Sequence, residues 1–264
     1  MFSQAPYQYR FEWGSLGARE AAERGDIVVI VDTLSFSSAV IAAVQAGMEI
    51  YPLSSGVDAI ALAQQVGADV AVNRREVPDK GRYSLSPLTF LNGPPGRRVV
   101  LPSLNGAMCS TIANRAPVVL IGAPLNAHTV ASYVSRLQQN SGLSVTVIAC
   151  GEHWNDVRRG ENSLRPAIED YLGAGAILSH LTGRDFSPEA EVCRAAFLGS
   201  RERLAALIWE CASGRELRER GFEADVRYAS RLNAYTVNPL LVDGAFKEAS
   251  MTANQNLSAK ENET

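Results

Sequence analysis

Cysteine and histidine are scarce in this 264-residue chain, which has four of the first (Cys109, Cys150, Cys193, Cys211) and three of the second (His128, His153, His180). The cysteine spacing matches no zinc motif, and the histidines are too dispersed to form a metal-ligand pattern. No signal-peptide pattern precedes the cysteines, so reduced thiols in a cytoplasmic protein are expected. Long apolar runs are also missing, which excludes a bilayer-spanning helix and a membrane partner. Positive charge is not in excess: 25 Lys and Arg against 28 Asp and Glu leave a net charge of −3. Without a basic stripe, nucleic acid is excluded as the main partner. A small anionic ligand then needs a local positive patch, because no global field steers it. There is no G-x-G-x-x-G, no Walker motif, no serine elbow and no internal repeat.

What is present suits a single large α/β domain. Hydrophobic residues make up 46% of the chain and charged residues 20%, ordinary values for a chain that buries a sizeable core. The stretch Asp26–Ser38 organises the reading. Ile27 to Val31 are five consecutive β-formers, the pattern of a strand buried on both faces. The run stops at Asp32, and a hydroxyl-rich turn leads into an alanine-rich helix closed by Gly47. Asp32 is thus placed at the carboxyl end of a strand, with Ser35, Ser37 and Ser38 at the next helix start. In open α/β sheets, ligands bind at that edge, and helix N-termini favour anions. The same residues also suit plain helix capping, and both readings stand at this point.

The alternation continues. Aromatic residues at positions 7, 9, 11 and 13 have the period of a strand. Strands are expected over 27–32, 49–53, 69–72, 97–101, 117–121 and 145–149. Helices are expected over 16–24, 37–46, 57–66, 107–114, 126–138 and 163–181. Mainly helical chain follows from 187 to 231, where the Arg/Glu-rich surface reads as solvated faces without chemistry. A last strand over 235–242 contains Pro239, which favours a sheet edge. The fold expected is a three-layer α/β/α with a mostly parallel sheet and a helical C-terminal part. It forms one domain over 1–248, with a division into two lobes near 120–125 left open. A disordered polar tail is expected over 249–264.

Three polar segments carry the candidate chemistry beyond Asp32. The irregular stretch 73–96 offers Arg75, Lys80 and Arg82 for gripping a phosphate or sulfonate; a solvated surface loop fits it equally. Asn105 and Gly106 open a helix after a strand, where glycine permits close backbone approach to a ligand. The run Cys150–Asp156 is a third polar strand end. Glu169 and Asp170 are adjacent carboxylates able to bind a hard cation or to favour the helix N-terminal half. Neighbours on a helix lie about 100° apart, so one of the two faces the site and the other makes a structural contact. Asp32-Thr33-Leu34 lacks a second acid two residues on, unlike phosphatases with a paired-aspartate strand end.

Taken together, Val31-Asp32-Thr33-Leu34-Ser35-Phe36-Ser37-Ser38, Arg75-Glu76, Leu85-Ser86-Pro87-Leu88, Leu104-Asn105-Gly106, Leu125-Asn126-Ala127, Ala149-Cys150-Gly151, Ile168–Ala176 and Val242-Asp243-Gly244 resemble the 2-phosphosulfolactate phosphatase (ComB-like) family. The resemblance covers about 26–245. It implies a Mg²⁺-dependent phosphatase that converts 2-phospho-3-sulfolactate to 3-sulfolactate and phosphate, a step towards coenzyme M. By that resemblance Asp32, Arg75 and Glu76 are the catalytic candidates. Ser35, Ser37, Ser38, Asn105 and Gly106 are the substrate-binding candidates, and Asp32, Glu169 and Asp170 are the metal ligands. Ser35 stands where the family carries arginine, which removes a bidentate anion donor. Glu152 stands where a small hydroxyl residue is common. A metabolite-binding member without catalysis, or a phosphatase of another phosphomonoester, is the alternative. A homodimer is compatible with the sequence.

Overall fold

The computed structural model describes residues 3–154, 156 and 163–249. The tail over 250–264 and Asn155 of the third polar segment lie outside the described residues. The chain runs β1 (Tyr9–Trp13), α1 (Gly14–Glu23), β2 (Ile27–Val31), α2 (Phe36–Gln45), β3 (Glu49–Leu53), α3 (Ala59–Val66) and β4 (Asp69–Val70). Two 3₁₀ turns, Arg74–Glu76 and Pro87–Phe90, punctuate the irregular stretch before β5 (Arg98–Pro102) and α4 (Gly106–Ile112). Then come β6 (Val118–Gly122), α5 (Ala127–Ser141), β7 (Val145–Ala149), β8 (Glu152–His153) and β9 (Leu164–Arg165). Helices α6 (Ile168–His180), α7 (Pro188–Ser200), α8 (Leu204–Glu210), α9 (Ala212–Glu219) and α10 (Glu223–Ala229) precede the strands β10 (Pro239–Val242) and β11 (Ala245–Glu248).

Among the described residues, nine strands form one sheet in the order β1-β7-β2-β6-β10-β11-β3-β5-β4. Two parallel blocks, β1-β7-β2-β6 and β3-β5-β4, flank the antiparallel hairpin β10–β11. The hairpin is antiparallel to β6 on one side and to β3 on the other, so the two blocks run in opposite directions. This corrects the edge position expected for the last strand: Pro239 begins a strand at the centre of the sheet. Proline is tolerated there because it is the first residue of a short strand, and β10 meets β6 through the single register pair Leu240–Leu120. The blocks do not meet at one point near 120–125. Residues 49–102 supply one block, and the chain on both sides of them supplies the other.

Strands β2, β6 and β7 alternate their side chains between two cores. Ile27, Val29 and Val31 join a core with α5, α6, α7 and α8. Val28 and Ile30 join a second core with α1, α2 and α4. That is the three-layer α/β/α arrangement. Helix α2 is buried from Phe36 to Val44, and its core also receives Ile50 of β3, Leu101 of β5 and Phe246 of β11. Four strands separate β2 from β5, about 24 Å in a flat sheet at ~4.8 Å per strand. The two ends nevertheless touch through Asp32 and Gly106, so the sheet curls around α2 and α4. The curl brings the chain after β5 to the carboxyl edge of β2, β6 and β7.

Candidate active site

Asp32 leaves β2 at that edge, where Val31 lies in register with Gly122 and Ala149. Its carboxylate is buried and accepts the Gly106 N–H at 2.8 Å and the Phe36 N–H at 3.3 Å. A Cβ on residue 106 would lie 2.3 Å from the Phe36 ring and 2.7 Å from the Asp32 carboxylate, so only glycine fits. Burial pushes Asp32 up to about 6, opposed by the two N–H groups, reinforced by the charge of Glu169 and eased by Arg74. Asp32 lines a cavity of about 760 Å³.

The floor of this cavity is acidic. Glu152, on β8, accepts a hydrogen bond from Asn105 Nδ2 at 2.8 Å. Burial, then the charge of Asp32, pushes Glu152 up to about 7. Asn105 Oδ1 is buried without a hydrogen-bond partner, an oxygen left open beside two carboxylates. Three arginines, Arg74, Arg165 and Arg220, line the same cavity, Arg165 as the cross-strand partner of Glu152 and Arg220 paired with Glu216 at 2.7 Å. Arg74 is held by Asp225 of α10, Nε to Oδ2 at 2.9 Å, and also donates to the Leu85 carbonyl at 3.2 Å and to the Ser35 hydroxyl. Asp225 is itself buried and accepts from Ser86 Oγ at 2.6 Å. Arg165 lies over the Trp154 ring, 5.9 Å from its centroid, with Ser213 Oγ of α9 at 3.4 Å.

Several expected site residues take other roles. Arg75 is exposed, and its neighbour Arg74 reaches the cavity in its place. Glu76 pairs with Lys80 at 2.8 Å and accepts the Asn73 N–H, closing the 3₁₀ turn. Neither residue lines the cavity that holds Asp32. Ser37 and Ser38 are fully buried. Ser37 Oγ accepts the Asp32 N–H at 2.9 Å, and Ser38 Oγ donates to the Thr33 carbonyl at 2.8 Å. The Ser37 and Gly106 N–H groups are engaged by the Asp32 carbonyl and carboxylate. These groups shape the strand end, and none of them is open to a substrate oxygen.

Asp170 is the structural member of the acidic pair. Its two oxygens accept the Thr33 N–H at 2.7 Å and the Gly151 N–H at 2.9 Å, stitching α6 to the ends of β2 and β7. Burial, Asp32 and Glu169 raise it well above the usual carboxyl range. Helix α6 comes this close because Gly173 has no side chain: a Cβ there would meet Thr33 Oγ1 at 2.8 Å. Glu169 is 2% exposed. It sits behind the floor, close enough to push up Asp32, Glu152 and the Cys211 thiol. Among the described residues, no three His, Cys, Asp or Glu side chains converge as a ready-made metal cage. All four cysteines are free and buried, as their scarcity and apolar settings predict.

The cavity thus holds residues that the sequence reading left without chemistry. Arg165, Ser213 and Arg220 come from the region of β9 and α9, and Asp225 of α10, itself outside the lining, holds Arg74. The adjacent arginines at 74 and 75 carry a signal for an anion grip, but a turn decides which of the two faces inward. The pairing of Asp225 with Arg74 spans 151 residues of sequence and leaves no local pattern.

Two carboxylates and three guanidinium groups thus share one cavity at the carboxyl edge of a parallel block, in an α/β fold. Comparison with known proteins narrows the class. The chain belongs to the 2-phosphosulpholactate phosphatase family, whose model matches residues 17–244. It is by that membership a phosphoric monoester hydrolase. Similar proteins include a probable 2-phosphosulfolactate phosphatase of Carboxydothermus hydrogenoformans, 28% identical over 219 residues that cover 80% of this chain and 84% of the relative. Another, from Pseudothermotoga lettingae, is 26% identical over 234 residues, 86% of this chain and 94% of the relative. A third, from Gloeobacter violaceus, is 27% identical over 226 residues, 81% and 87% of the two chains. No helix among the described residues is long and apolar enough to cross a membrane.

Proposed function

We propose that the protein hydrolyses a phosphorylated 2-hydroxy acid with the help of Mg²⁺, releasing the hydroxy acid and inorganic phosphate. The relatives' names point to 2-phospho-3-sulfolactate as the first substrate to test. The observation that carries the reading is the gathering of two carboxylates, Asp32 and Glu152, with two guanidinium groups, Arg74 and Arg165, in one cavity.

The floor fits a hard divalent cation. Asp32, Glu152 and the open Asn105 Oδ1 are oxygen donors, and the raised pKa values of the two carboxylates signal charge awaiting compensation. Mg²⁺ keeps several waters and takes one or two carboxylates with substrate phosphate. Glu169 adds negative charge from behind, and Asp170 holds the frame. When bound, Mg²⁺ supplies neutralisation of phosphoryl charge and a more acidic water.

The chain's own groups do the rest. Arg74, fixed by Asp225, Ser35 and Leu85, presents its remaining N–H donors to the phosphoryl oxygens without reorganisation. Arg165 is placed to take the carboxylate of the hydroxy acid. In the metal-free protein burial and the charge of Asp32 push Glu152 up to about 7, so a proton and the cation would compete for its oxygens. Asp32 is clamped by two N–H groups, which favours orientation over nucleophilic attack, and water is the nucleophile in this reading.

The test is phosphate release from 2-phospho-3-sulfolactate and 2-phospholactate, with Mg²⁺ and with chelator. Loss of release in Asp32→Asn, with an unchanged circular dichroism spectrum, is the expected result. Turnover that persists in that variant, or that ignores chelation, would remove the assignment. Ligand-induced thermal shift without any release would favour the metabolite-binding alternative.

A further inference from the structure

Ser86 lies in the irregular stretch before β5, and its hydroxyl is committed to α10. Ser86 Oγ donates to Asp225 Oδ1 at 2.6 Å, across 139 residues of sequence. Both residues are buried, and an ionised carboxylate only accepts, so the hydroxyl is the donor. The segment that delivers it is fixed. The Ser86 N–H donates to Ser84 Oγ at 3.2 Å, and the Ser86 carbonyl accepts from Thr89 Oγ1 at 2.8 Å. Phe90, at the end of the same 3₁₀ turn, is fully buried and stacks on Tyr83 with 5.1 Å between ring centroids. A hydroxyl presented from such a segment has little rotamer freedom left to lose.

The other oxygen of Asp225 holds Arg74. A guanidinium carries five N–H groups in a flat fork. The Nε–H of Arg74 goes to Asp225 Oδ2 at 2.9 Å, and Nη2 serves the Leu85 carbonyl at 3.2 Å and the Ser35 hydroxyl. Its Cζ lies over the Phe222 ring, 5.5 Å from the centroid. Among the described residues the N–H groups on Nη1 have no partner, so they are what Arg74 offers to a ligand in the cavity it lines. Arginine and a carboxylate left to themselves favour a two-bond fork, Nε and Nη2 to the two oxygens. Here Ser86 occupies one of those oxygens, and Ser35 and Leu85 occupy Nη2.

We propose that Ser86 is a positioning residue for the phosphoryl grip: by taking Asp225 Oδ1 it keeps the Arg74–Asp225 pair to a single bond and leaves Nη1 of Arg74 for the ligand. Without the hydroxyl, Asp225 Oδ1 is buried and unpaired, and the donor beside it is Arg74 itself. Closing the fork draws Nη2 from Ser35 and Leu85 and turns the guanidinium with it. The ion pair survives that change, and the anion grip does not. A purely structural role for Ser86 has the opposite signature, a loss of stability with affinity intact. The proposal rests on the hydrolase reading above and adds one residue to its machinery.

The experiment compares the parent, Ser86→Ala, Ser86→Thr, Arg74→Ala and the double variant Arg74→Ala/Ser86→Ala. Phosphate release with Mg²⁺ is measured on 2-phospho-3-sulfolactate and 2-phospholactate. Ser86→Ala is expected to raise KM about fivefold or more, with the loss falling on KM more than on kcat. Ser86→Thr keeps the hydroxyl and is expected to bring KM back to within about twofold of the parent. In the Arg74→Ala background the serine change is expected to add nothing. A second readout needs no ligand. The nitrogen NMR signal of the Arg74 guanidinium, assigned by its absence in Arg74→Ala, is expected to move in Ser86→Ala. If the threonine variant misfolds, the alanine and double variants decide. An unchanged KM in Ser86→Ala, an unmoved Arg74 signal, or a KM effect of full size in the absence of Arg74 would overturn the proposal. A moved signal in a protein that releases phosphate from neither ester would sink the hydrolase reading and keep the positioning of Arg74 by Ser86.

Discussion

Arginines 74 and 75 differ by one position and by everything that follows from it. Arg74 reaches the cavity and holds three partners, whereas Arg75 stays in solvent. Arg74→Ala is expected to raise KM for a phosphomonoester by about tenfold or more, the effect of one lost charge-assisted contact. Arg75→Ala is expected to leave KM within about twofold, because an exposed guanidinium contributes little. Steady-state kinetics on the two variants decides, and equal effects would contradict the placement. Asp170 belongs to the same scale. Asp170→Ala leaves the Thr33 and Gly151 N–H groups without acceptors, at a cost of about 2–4 kcal/mol for the buried pair. Chemical denaturation measures this directly, and a stability close to the parent would refute the stitching role.

At the scale of elements, α10 acts on the site through Asp225. If its role is to position Arg74, Asp225→Ala should raise KM as Arg74→Ala does. The double variant should then be no worse than Arg74→Ala alone, because both changes remove one unit. A merely structural residue would lower stability and leave KM additive. The central hairpin is the second decisive element. Phe246 of β11 is fully buried and meets Phe36 edge-on at 6.3 Å between centroids, just below the strand end that carries Asp32. Phe246→Ala is expected to cost about 3–5 kcal/mol, the usual penalty of a core aromatic cavity, read as a shifted denaturation midpoint.

The whole molecule places four carboxylates, Asp32, Glu152, Glu169 and Asp170, around one strand end. Asp32 titrates at about 6 against an ordinary 3.8, and Glu152 at about 7 against 4.5. Both folded-state values are raised, so the native state binds these protons more tightly than the unfolded chain. Stability from these groups is greatest below the ordinary values. It falls as pH rises through the window from about 4 to about 7, and the full penalty holds above it. The melting temperature of metal-free protein should decline across that window, and Glu152→Gln should flatten its upper part. Mg²⁺ should raise the melting temperature more at pH ~8 than at pH ~5.5, because protons and cation compete for the same oxygens. A melting temperature independent of pH and of Mg²⁺ would contradict this picture.

The strands of the larger block were legible because their signal is local. Ile27–Val31 and Val145–Ala149 are continuous apolar runs bounded by turn residues, and the observed strands coincide with them. Helix ends were legible where one residue closes them, as Gly67 does in the left-handed region at φ 66°. The last strand was misplaced, and β11 after it was not foreseen, because a proline reads as an edge signal while the central position depends on two blocks far apart in the chain. The site was half legible for the same reason. Asp32, Ser35 and Asn105 lie at strand ends and line the cavity, but the serines at 37 and 38 were assigned by proximity and turn inward.

By itself, the sequence determined the strand and helix periods and the strand-end location of Asp32, because these depend on neighbouring residues and backbone sterics. The tertiary structure alone decided which arginine enters the cavity, which acid is tied to the backbone and which helix holds the anion grip. Those outcomes follow from the curl of the sheet, which joins residues distant in the chain, and local preference carries no information about such meetings.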